Sequence, residues 1–198
     1  MARSSERPET RTAVPVRPWK TLKREIVFQC PHLRVAQDTV QLPTGDQIDY
    51  WVLVAGQGVA VLALEGEDVF LVRQYRHPIS LIQLELPGGG VHRRETLEEA
   101  ARRELREETG LEVGALHLLG QFYPSASRST TLVSVYWAKV LSLTEARPEA
   151  NELLEVIRVP FEQALAMVAR GEIREATAAY ALLMYDYHRR LPDSGPQR

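Results

Sequence analysis

Short apolar runs separated by turn residues dominate the first part of this chain. Runs rich in Val, Ile, Leu and aromatic residues between such turns predict β-strands. Residues 33–42 and 48–55 flank the turn sequence Pro43-Thr44-Gly45-Asp46. Residues 59–64 and 68–75 are apolar almost throughout, which indicates strands buried on both faces. The predicted strands in this part are 25–30, 33–42, 48–55, 59–64 and 68–75.

The second part of the chain alternates helical and strand patterns. A glycine-rich loop, Pro87-Gly88-Gly89-Gly90, precedes a strongly charged helix. Strands are predicted at 117–123, 131–140 and 155–159, and helices at 161–170 and 175–191, the last ending before Pro192. This order of strands, helix, strands and helices predicts a mixed sheet with helices packed on it.

The charged helix has recognisable ends. Thr96 followed by Glu99 forms a capping box, in which the hydroxyl accepts from the Glu99 amide and the carboxylate reaches back. Gly110 supplies the left-handed residue that ends the helix, and apolar Leu111 folds back over it. The helix is therefore expected to run from about Leu97 to Thr109.

The helical period places two acids of this helix on its apolar face. With Leu97 at zero, Ala100, Ala101 and Leu105 fall at about -60°, 40° and 80° and define the inward face. Glu104 and Glu108 fall in the middle of that face, at about -20° and 20°, and Glu107 sits at its edge, near -80°. The opposite side or its flank carries Glu99, Arg102, Arg103 and Arg106.

Two interpretations compete for the acids of this helix. A solvated face of i,i+4 pairs accounts for Glu98–Arg102 and Glu99–Arg103, and such pairs contribute only tenths of a kcal/mol. It does not account for Glu104 and Glu108, because two inward carboxylates one turn apart repel each other and lose hydration. A divalent cation removes both problems, and hard carboxylate oxygens suit Mg²⁺ or Mn²⁺.

Composition narrows the class of protein. The chain has 198 residues, 44% of them hydrophobic and 25% charged, with a net charge of -2, so no basic field favours nucleic acid or an anionic membrane. Cys30 is the single cysteine, which excludes an intramolecular disulfide, and we expect it to be a small core residue. No apolar run approaches the ~18 residues of a membrane span. Residues 1–17 are expected to be a disordered tail without a secretory signal, and the location is expected to be cytoplasmic.

The loop and helix together resemble the Nudix box, G-x5-E-x7-R-E-U-x-E-E-x-G-U. Gly89, Glu95 and the run from Arg103 to Leu111 match it at every fixed position. The resemblance implies the Nudix fold, an α/β/α sandwich with a mixed sheet, here with additional N-terminal antiparallel strands. It also implies hydrolysis of nucleoside diphosphates linked to another moiety.

The resemblance carries roles onto individual residues. In the family, the carboxylates matching Glu104 and Glu108 bind the metals, the Gly88 carbonyl assists, and Glu107 takes an additional ion. Arg103 orients a glutamate by ion pairing, and Glu95 ties the loop to the helix. Clustered Mg²⁺, for which Mn²⁺ can substitute, neutralises the diphosphate, positions a water and stabilises the leaving phosphate. In the ADP-ribose and nucleotide-sugar branch of the family, an acid in the loop before the last predicted strand completes the metal site or acts as general base; Glu152 is the best match, with Glu149 and Glu155 behind it.

The surroundings of the box resemble the branch that hydrolyses ADP-ribose and nucleoside diphosphate sugars. The resemblance covers Trp19 to about Leu191 and includes the segments 71–76 and 85–89. In that branch the N-terminal strands help to build a homodimer. The implied substrate-binding residues are Trp19, Tyr50, Trp51, Arg76, Glu85 and Arg128. Because side chains alternate along a strand, Tyr50 and Trp51 lie on opposite faces, so at most one of them stacks on the base with Trp19.

The substrate is open at this stage. The loop after the box has Tyr123-Pro124-Ser125-Ala126 where many branch members have Ser-Pro-Gly, and Arg93-Arg94 replaces the usual glycine before Glu95. The alternatives are a Nudix hydrolase of a nucleoside triphosphate or dinucleoside polyphosphate, and a non-catalytic Nudix ligand sensor. The expected organisation is a tail at 1–17, an N-terminal strand region at 18–56 for dimerisation and base binding, a catalytic domain at 57–191 and a tail at 192–198.

Overall fold

The computed structural model describes residues 16–147 and 153–191. Glu149, Glu152, residues 1–15 of the expected N-terminal tail and the whole C-terminal tail lie outside the described residues. The chain divides into two compact units, with the boundary between Val52 and Leu53. The domain limits expected from the sequence stay a prediction.

The first unit is a three-stranded sheet in the order β1-β2-β3. Its strands are β1 (Lys20–Cys30), β2 (Leu33–Gln41) and β3 (Gln47–Leu53), and β1 runs antiparallel to β2. The predicted turn before β3 is present: Gly45 has a φ of 95° and donates from its N–H to the Leu42 carbonyl. Glycine adopts this left-handed conformation without steric cost.

Cys30 is exposed at the end of β1, so the prediction that it is a core residue was wrong. It immediately precedes the tight turn between β1 and β2. A turn of this kind runs over the surface, where a small apolar side chain finds no core to enter.

The second unit contains an eight-stranded mixed sheet. Its main path is β11-β5-β4-β10-β8, while β6 pairs with β5, β7 with β4 and β9 with β10. Strands β10 and β4 are parallel, and the other strand pairs of this sheet in the described residues are antiparallel. The strands are β4 (Gly58–Glu65), β5 (Asp68–Arg76), β6 (Leu81–Glu85), β7 (Gly88–Gly90), β8 (Leu111–Val113), β9 (His117–Phe122), β10 (Val133–Leu143) and β11 (Leu154–Pro160).

Helices cover both faces of this sheet. Helix α1 (Leu97–Thr109) packs on one face; α2 (Phe161–Ala169) and α3 (Ala176–Arg190) pack on the other. Strand β4 contributes apolar side chains to both faces. Val59, Val61 and Ala63 pack with α1. The alternate residues Ala60, Leu62 and Leu64 belong to the core under α2 and α3. The predicted α/β/α sandwich and the burial of this strand on both faces are confirmed.

The sequence prediction missed three strands, β6, β7 and β8. Strand β7 falls in the segment predicted as a glycine-rich loop, and it pairs through its backbone with β4, Gly88 opposite Ala60. Glycine has no side chain to produce an alternating pattern, so backbone pairing of this kind leaves no periodic signal. Strands β7 and β8 are also only three residues long.

Candidate active site

Helix α1 has the ends that its sequence predicts. Thr96 accepts a hydrogen bond from the Glu99 amide, and the Glu99 carboxylate accepts from the Thr96 amide, 2.7 Å away. Gly110 has a φ of 72° and its N–H donates to the Arg106 carbonyl at 2.8 Å. Caps at both ends hold the helix in register against the sheet.

Two carboxylates of α1 face the sheet, as the helical period predicts. Glu104 is 9% exposed and Glu108 is 4% exposed, and their neighbours Ala100 and Ala101 are fully buried. The two glutamates are one helical turn apart, so their charges lie close together in a site with little water. This is an unfavourable arrangement unless nearby positive charge compensates it.

The glycine strand β7 lies directly against these acids. The Gly88 N–H donates to Oε2 of Glu108 at 2.9 Å. A Cβ added at Gly89 would lie 2.6 Å from the Glu104 carboxyl carbon, and one added at Gly88 would lie 2.2 Å from the Val59 carbonyl oxygen. The backbone of β7 therefore lies close to the Glu104 carboxylate at Gly89 and close to the backbone of β4 at Gly88, which leaves little room for a side chain at either position.

Arg103 connects the loop to the acids of α1. Its Nε and Nη2 donate to both oxygens of Glu95, at 3.0 and 2.7 Å, and Nη2 also donates to the Gly90 carbonyl. Its Nη1 lies 2.9 Å from Glu104 and 3.0 Å from Glu107. These carboxylates, Glu95 first, raise the pKa of the guanidinium. Together with the His92 amide, Arg103 lowers the pKa of Glu95 to about 2.

The simple i,i+4 pairs expected along α1 were wrong. Arg103 was expected to pair with Glu99, but its side chain is only 18% exposed and its partners are those just described. Arg102 was expected to pair with Glu98, but it donates to the carbonyl oxygens of Val113 and Gly114. Both guanidinium groups contact acceptors that lie in other segments of the chain, which a helical projection of Cα directions does not show.

The oxygen donors fit a hard divalent cation. Glu104, Glu108 and the Gly88 carbonyl come from two elements held together by the Gly88–Glu108 hydrogen bond, and carboxylate and carbonyl oxygens are the ligands that Mg²⁺ and Mn²⁺ prefer. Within residues 16–147 and 153–191, no three His, Cys, Asp or Glu side chains are arranged as a metal-binding group. Arg103 holds Glu104 and Glu107 in ion pairs.

The β5–β6 hairpin brings a further set of polar side chains together. Arg76 donates from Nε and Nη2 to the two oxygens of Glu85, at 2.8 and 2.5 Å. Gln74 and Gln83 are cross-strand partners on the same face, and Gln83 is only 6% exposed. The sequence predicted substrate-binding roles for Arg76 and Glu85 and none for the two glutamines. Gln83 and Glu85, two residues apart in an otherwise apolar strand, were the available signal.

The other predicted substrate-binding residues lie outside the β5–β6 hairpin. In the first unit, Trp19 contacts Tyr50 edge to face, with ring centroids 5.8 Å apart, while Trp51 is half-exposed. Consecutive strand residues such as Tyr50 and Trp51 point to opposite faces, as expected. In the second unit, Arg128 is exposed in a turn, and its carbonyl accepts from the Leu53 N–H at 2.7 Å.

Comparison with known proteins identifies the family. The model of the NUDIX domain matches residues 54–180, and that of the nucleoside diphosphate sugar hydrolase N-terminal domain matches residues 19–53. The chain therefore belongs to the Nudix family, and it is a hydrolase of that family.

Relatives with assigned activities and a solved structure agree with this membership. The chain is 33% identical over 166 residues to an ADP-ribose pyrophosphatase of Bacillus subtilis, covering 82% of this chain and 90% of that protein. It is 34% identical over 140 residues to a GDP-mannose pyrophosphatase of Klebsiella pneumoniae, covering 64% and 69%. A crystal structure of an ADP compounds hydrolase has the same fold, with a TM-score of 0.79, 20% identity and coverage of 88% and 96%.

None of the helices in the described ranges is long and apolar enough to cross a membrane.

Proposed function

We propose that this chain catalyses the Mg²⁺-dependent hydrolysis of the diphosphate bond in ADP-ribose or a related nucleoside diphosphate sugar. The products are a nucleoside monophosphate and a sugar phosphate. The observation that carries the proposal is the buried pair Glu104 and Glu108, held against the glycine strand β7. The names of the relatives from Bacillus subtilis and Klebsiella pneumoniae support the substrate class.

The chain's own residues have separate roles in this reaction. Glu104, Glu107, Glu108 and the Gly88 carbonyl would hold the metal, together with Glu152. When bound, Mg²⁺ neutralises the diphosphate and lowers the pKa of a water molecule. Arg103 fixes the directions of the Glu104 and Glu107 carboxylates, and Glu95 fixes Arg103. The buried position of the acids limits access of bulk water, which strengthens their interaction with a cation.

Glu152 is proposed as the general base or a further metal ligand. The described residues before and after its segment support this role. Arg147 donates from its backbone N–H to the Glu107 carbonyl at 2.8 Å, and Leu154 pairs with Gln74 of β5. Glu152→Gln is expected to lower kcat, and Glu149→Gln, the weaker candidate in the same segment, is expected to lower it less. Equal effects of the two substitutions would remove Glu152 from the mechanism.

Trp19 and one of the two residues Tyr50 and Trp51 are proposed to contact the base, and Arg128 the terminal sugar. The rings of Trp19 and Tyr50 lie edge to face in the first unit, and stacking on rings is tolerant of base identity. Trp19→Ala should then raise KM with little change in kcat, and so should one of the two variants Tyr50→Ala and Trp51→Ala. The ring whose removal leaves KM unchanged is not part of the site.

A homodimer is proposed as the working assembly. The described part of β1 is exposed along its whole length, including the apolar side chains of Leu22, Ile26, Val27 and Phe28. An exposed apolar strand of this size marks an interaction surface. Light scattering coupled to gel filtration measures the mass directly, and Ile26→Lys with Phe28→Lys should shift a dimer toward the monomer mass of 22.4 kDa.

The experiment that tests the reaction is a substrate panel with Mg²⁺. ADP-ribose, GDP-mannose, UDP-glucose, a dinucleoside polyphosphate and a deoxynucleoside triphosphate are compared by kcat/KM for monophosphate release. The proposal expects the first three as a group to exceed the last two. A preference for triphosphates would overturn the substrate class, and no release from any compound would overturn the reaction.

A further inference from the structure

The buried carboxylate of Glu85 holds the guanidinium of Arg76 in place. Glu85 is 5% exposed, and both of its oxygens accept hydrogen bonds from Arg76. Gln74, on the neighbouring strand, donates from Nε2 to the same carboxylate at 3.4 Å. Burying a carboxylate costs free energy unless charge and hydrogen bonds compensate it, so Glu85 holds Arg76 firmly. Because both Glu85 oxygens accept from Arg76, the Glu85 carboxylate orients the guanidinium.

The geometry of the pair leaves one edge of the guanidinium available. Arg76 uses its Nε–H and one N–H of Nη2 toward Glu85. A guanidinium has five N–H donors, so three remain, on Nη1 and Nη2. The Arg76 side chain is half-exposed, whereas its partner is almost completely buried. The Glu85 side of the pair is therefore buried, whereas the Arg76 side is accessible and can bind an anion.

The guanidinium of Arg76 lies in the electrostatic field of Glu108 on α1. Glu85 raises the pKa of Arg76 most strongly, and Glu108 and Glu175 contribute further through their charge. The chain also links the two places: Glu85 ends β6, and Gly88, three residues later, donates to Glu108. An anion bound by a cation at Glu104 and Glu108 would thus have a fixed guanidinium nearby.

We propose that Glu85 and Gln74 are positioning residues that hold the Arg76 guanidinium ready to bind the diphosphate of the substrate. The proposal rests on the proposed function and reassigns Glu85, which the sequence predicted to bind substrate itself. A guanidinium already oriented loses less side-chain freedom on binding an anion than a free one. The orientation of Arg76 by Glu85 and Gln74 is therefore expected to strengthen substrate binding.

The experiment compares Arg76→Gln, Glu85→Gln and the double variant. Removing one hydrogen bond to a charged group weakens binding by about 10- to 100-fold, so each single variant should raise KM by that factor while kcat changes less. The dissociation constant of α,β-methylene-ADP, measured by calorimetry with Mg²⁺, should rise in parallel. If Glu85 acts through Arg76, the double variant binds no more weakly than Arg76→Gln alone.

Two further variants separate positioning from general damage. Gln74→Leu should raise KM by about 2- to 10-fold, because it removes one neutral donor. Arg73→Gln is the matched control: Arg73 is on the same strand, points to the other face and pairs with Glu155, so KM should not change. Urea unfolding of every variant shows whether the fold is retained.

The outcomes distinguish this inference from the proposed function. A wild-type protein that cleaves nucleoside diphosphate sugars, with unchanged KM in Glu85→Gln, overturns the positioning role alone. Multiplicative effects in the double variant also overturn it, because Glu85 would then act independently of Arg76. A wild-type protein that neither cleaves these substrates nor binds α,β-methylene-ADP overturns the proposed function itself.

Discussion

The backbone N–H of Gly88 and the carboxylate of Glu108 are joined by a hydrogen bond of 2.9 Å from N to Oε2. This bond connects a strand without side chains to a helix rich in acids. It brings the Gly88 peptide next to the Glu108 carboxylate, and both carry hard oxygens of the kind that Mg²⁺ prefers. The glycines of β7 therefore contact both the backbone of β4 and the acids of α1, and substituting them one at a time distinguishes the two contacts.

Alanine at each glycine of β7 should give a different result. In Gly88→Ala the Cβ meets the Val59 backbone, which cannot move aside, so we expect destabilisation of about 1–3 kcal/mol. In Gly89→Ala the Cβ meets the Glu104 carboxylate, so kcat should fall with a smaller loss of stability. Gly90→Ala is the control, because nothing lies within 4 Å of its added Cβ. Urea unfolding and turnover measure the two effects.

Glu108→Gln should lower kcat by about 100-fold or more, which corresponds to roughly 2.7 kcal/mol of transition-state stabilisation. The fold should remain intact because glutamine has nearly the same shape and can still accept from the Gly88 amide. Glu99→Gln serves as control: Glu99 is exposed, and glutamine also completes a capping box. Turnover of Glu108→Gln within a few fold of wild type would contradict a metal role for Glu108.

Helical periodicity predicts the inward acids, whereas the ion pairing of Arg103 with a glutamate was expected only from the family resemblance. A 100° rotation per residue places Glu104 and Glu108 among the alanines, and both are buried. The same rotation places Arg103 on the flank of α1, whereas its long side chain reaches Glu95 and the Gly90 carbonyl. Periodicity fixes the direction of Cβ, but the partners of a flexible side chain depend on acceptors that distant segments supply.

Strands with a side-chain pattern were also more predictable than those without one. Strand β4 is apolar at nearly every position and was predicted, whereas β7 consists of three glycines and was not. Glu85 was named as a substrate contact because sequence identifies a residue type and a position only. Its burial and its two hydrogen bonds with Arg76 depend on the register of β5 and β6.

The Glu95–Arg103 pair should make stability depend on pH in the acid range. The pKa of Glu95 is lowered to about 2, from an ordinary value of 4.5. Because the folded state binds this proton more weakly than the unfolded state, the pair stabilises the fold fully above pH 4.5 and loses its effect as pH falls toward 2. The difference in unfolding free energy between wild type and Glu95→Gln should shrink over that window. A difference that stays constant from pH 6 to pH 3 would contradict the pairing.

Gly120→Ala should destabilise the second unit through a contact between β9 and α3. The added Cβ would lie 2.0 Å from the Tyr180 hydroxyl oxygen and 3.2 Å from its Cζ. Overpacking of this kind costs about 1–3 kcal/mol. Tyr180→Phe removes the nearer atom, so the double variant should recover much of the stability lost by Gly120→Ala. Additive losses in urea unfolding would show that another contact is responsible.

Mg²⁺ should raise the thermal stability of the wild-type protein through Glu104 and Glu108. A ligand that binds only the folded state stabilises it by about 2.7 kcal/mol at a concentration 100 times its Kd. Melting curves without nucleotide, recorded against Mg²⁺ concentration, should therefore shift upward and saturate. Glu104→Gln and Glu108→Gln should abolish most of the shift, while the exposed Glu98→Gln retains it. Because no turnover is involved, this measurement separates metal binding from catalysis. An equal Mg²⁺ shift in all four proteins would place the cation away from the acid pair.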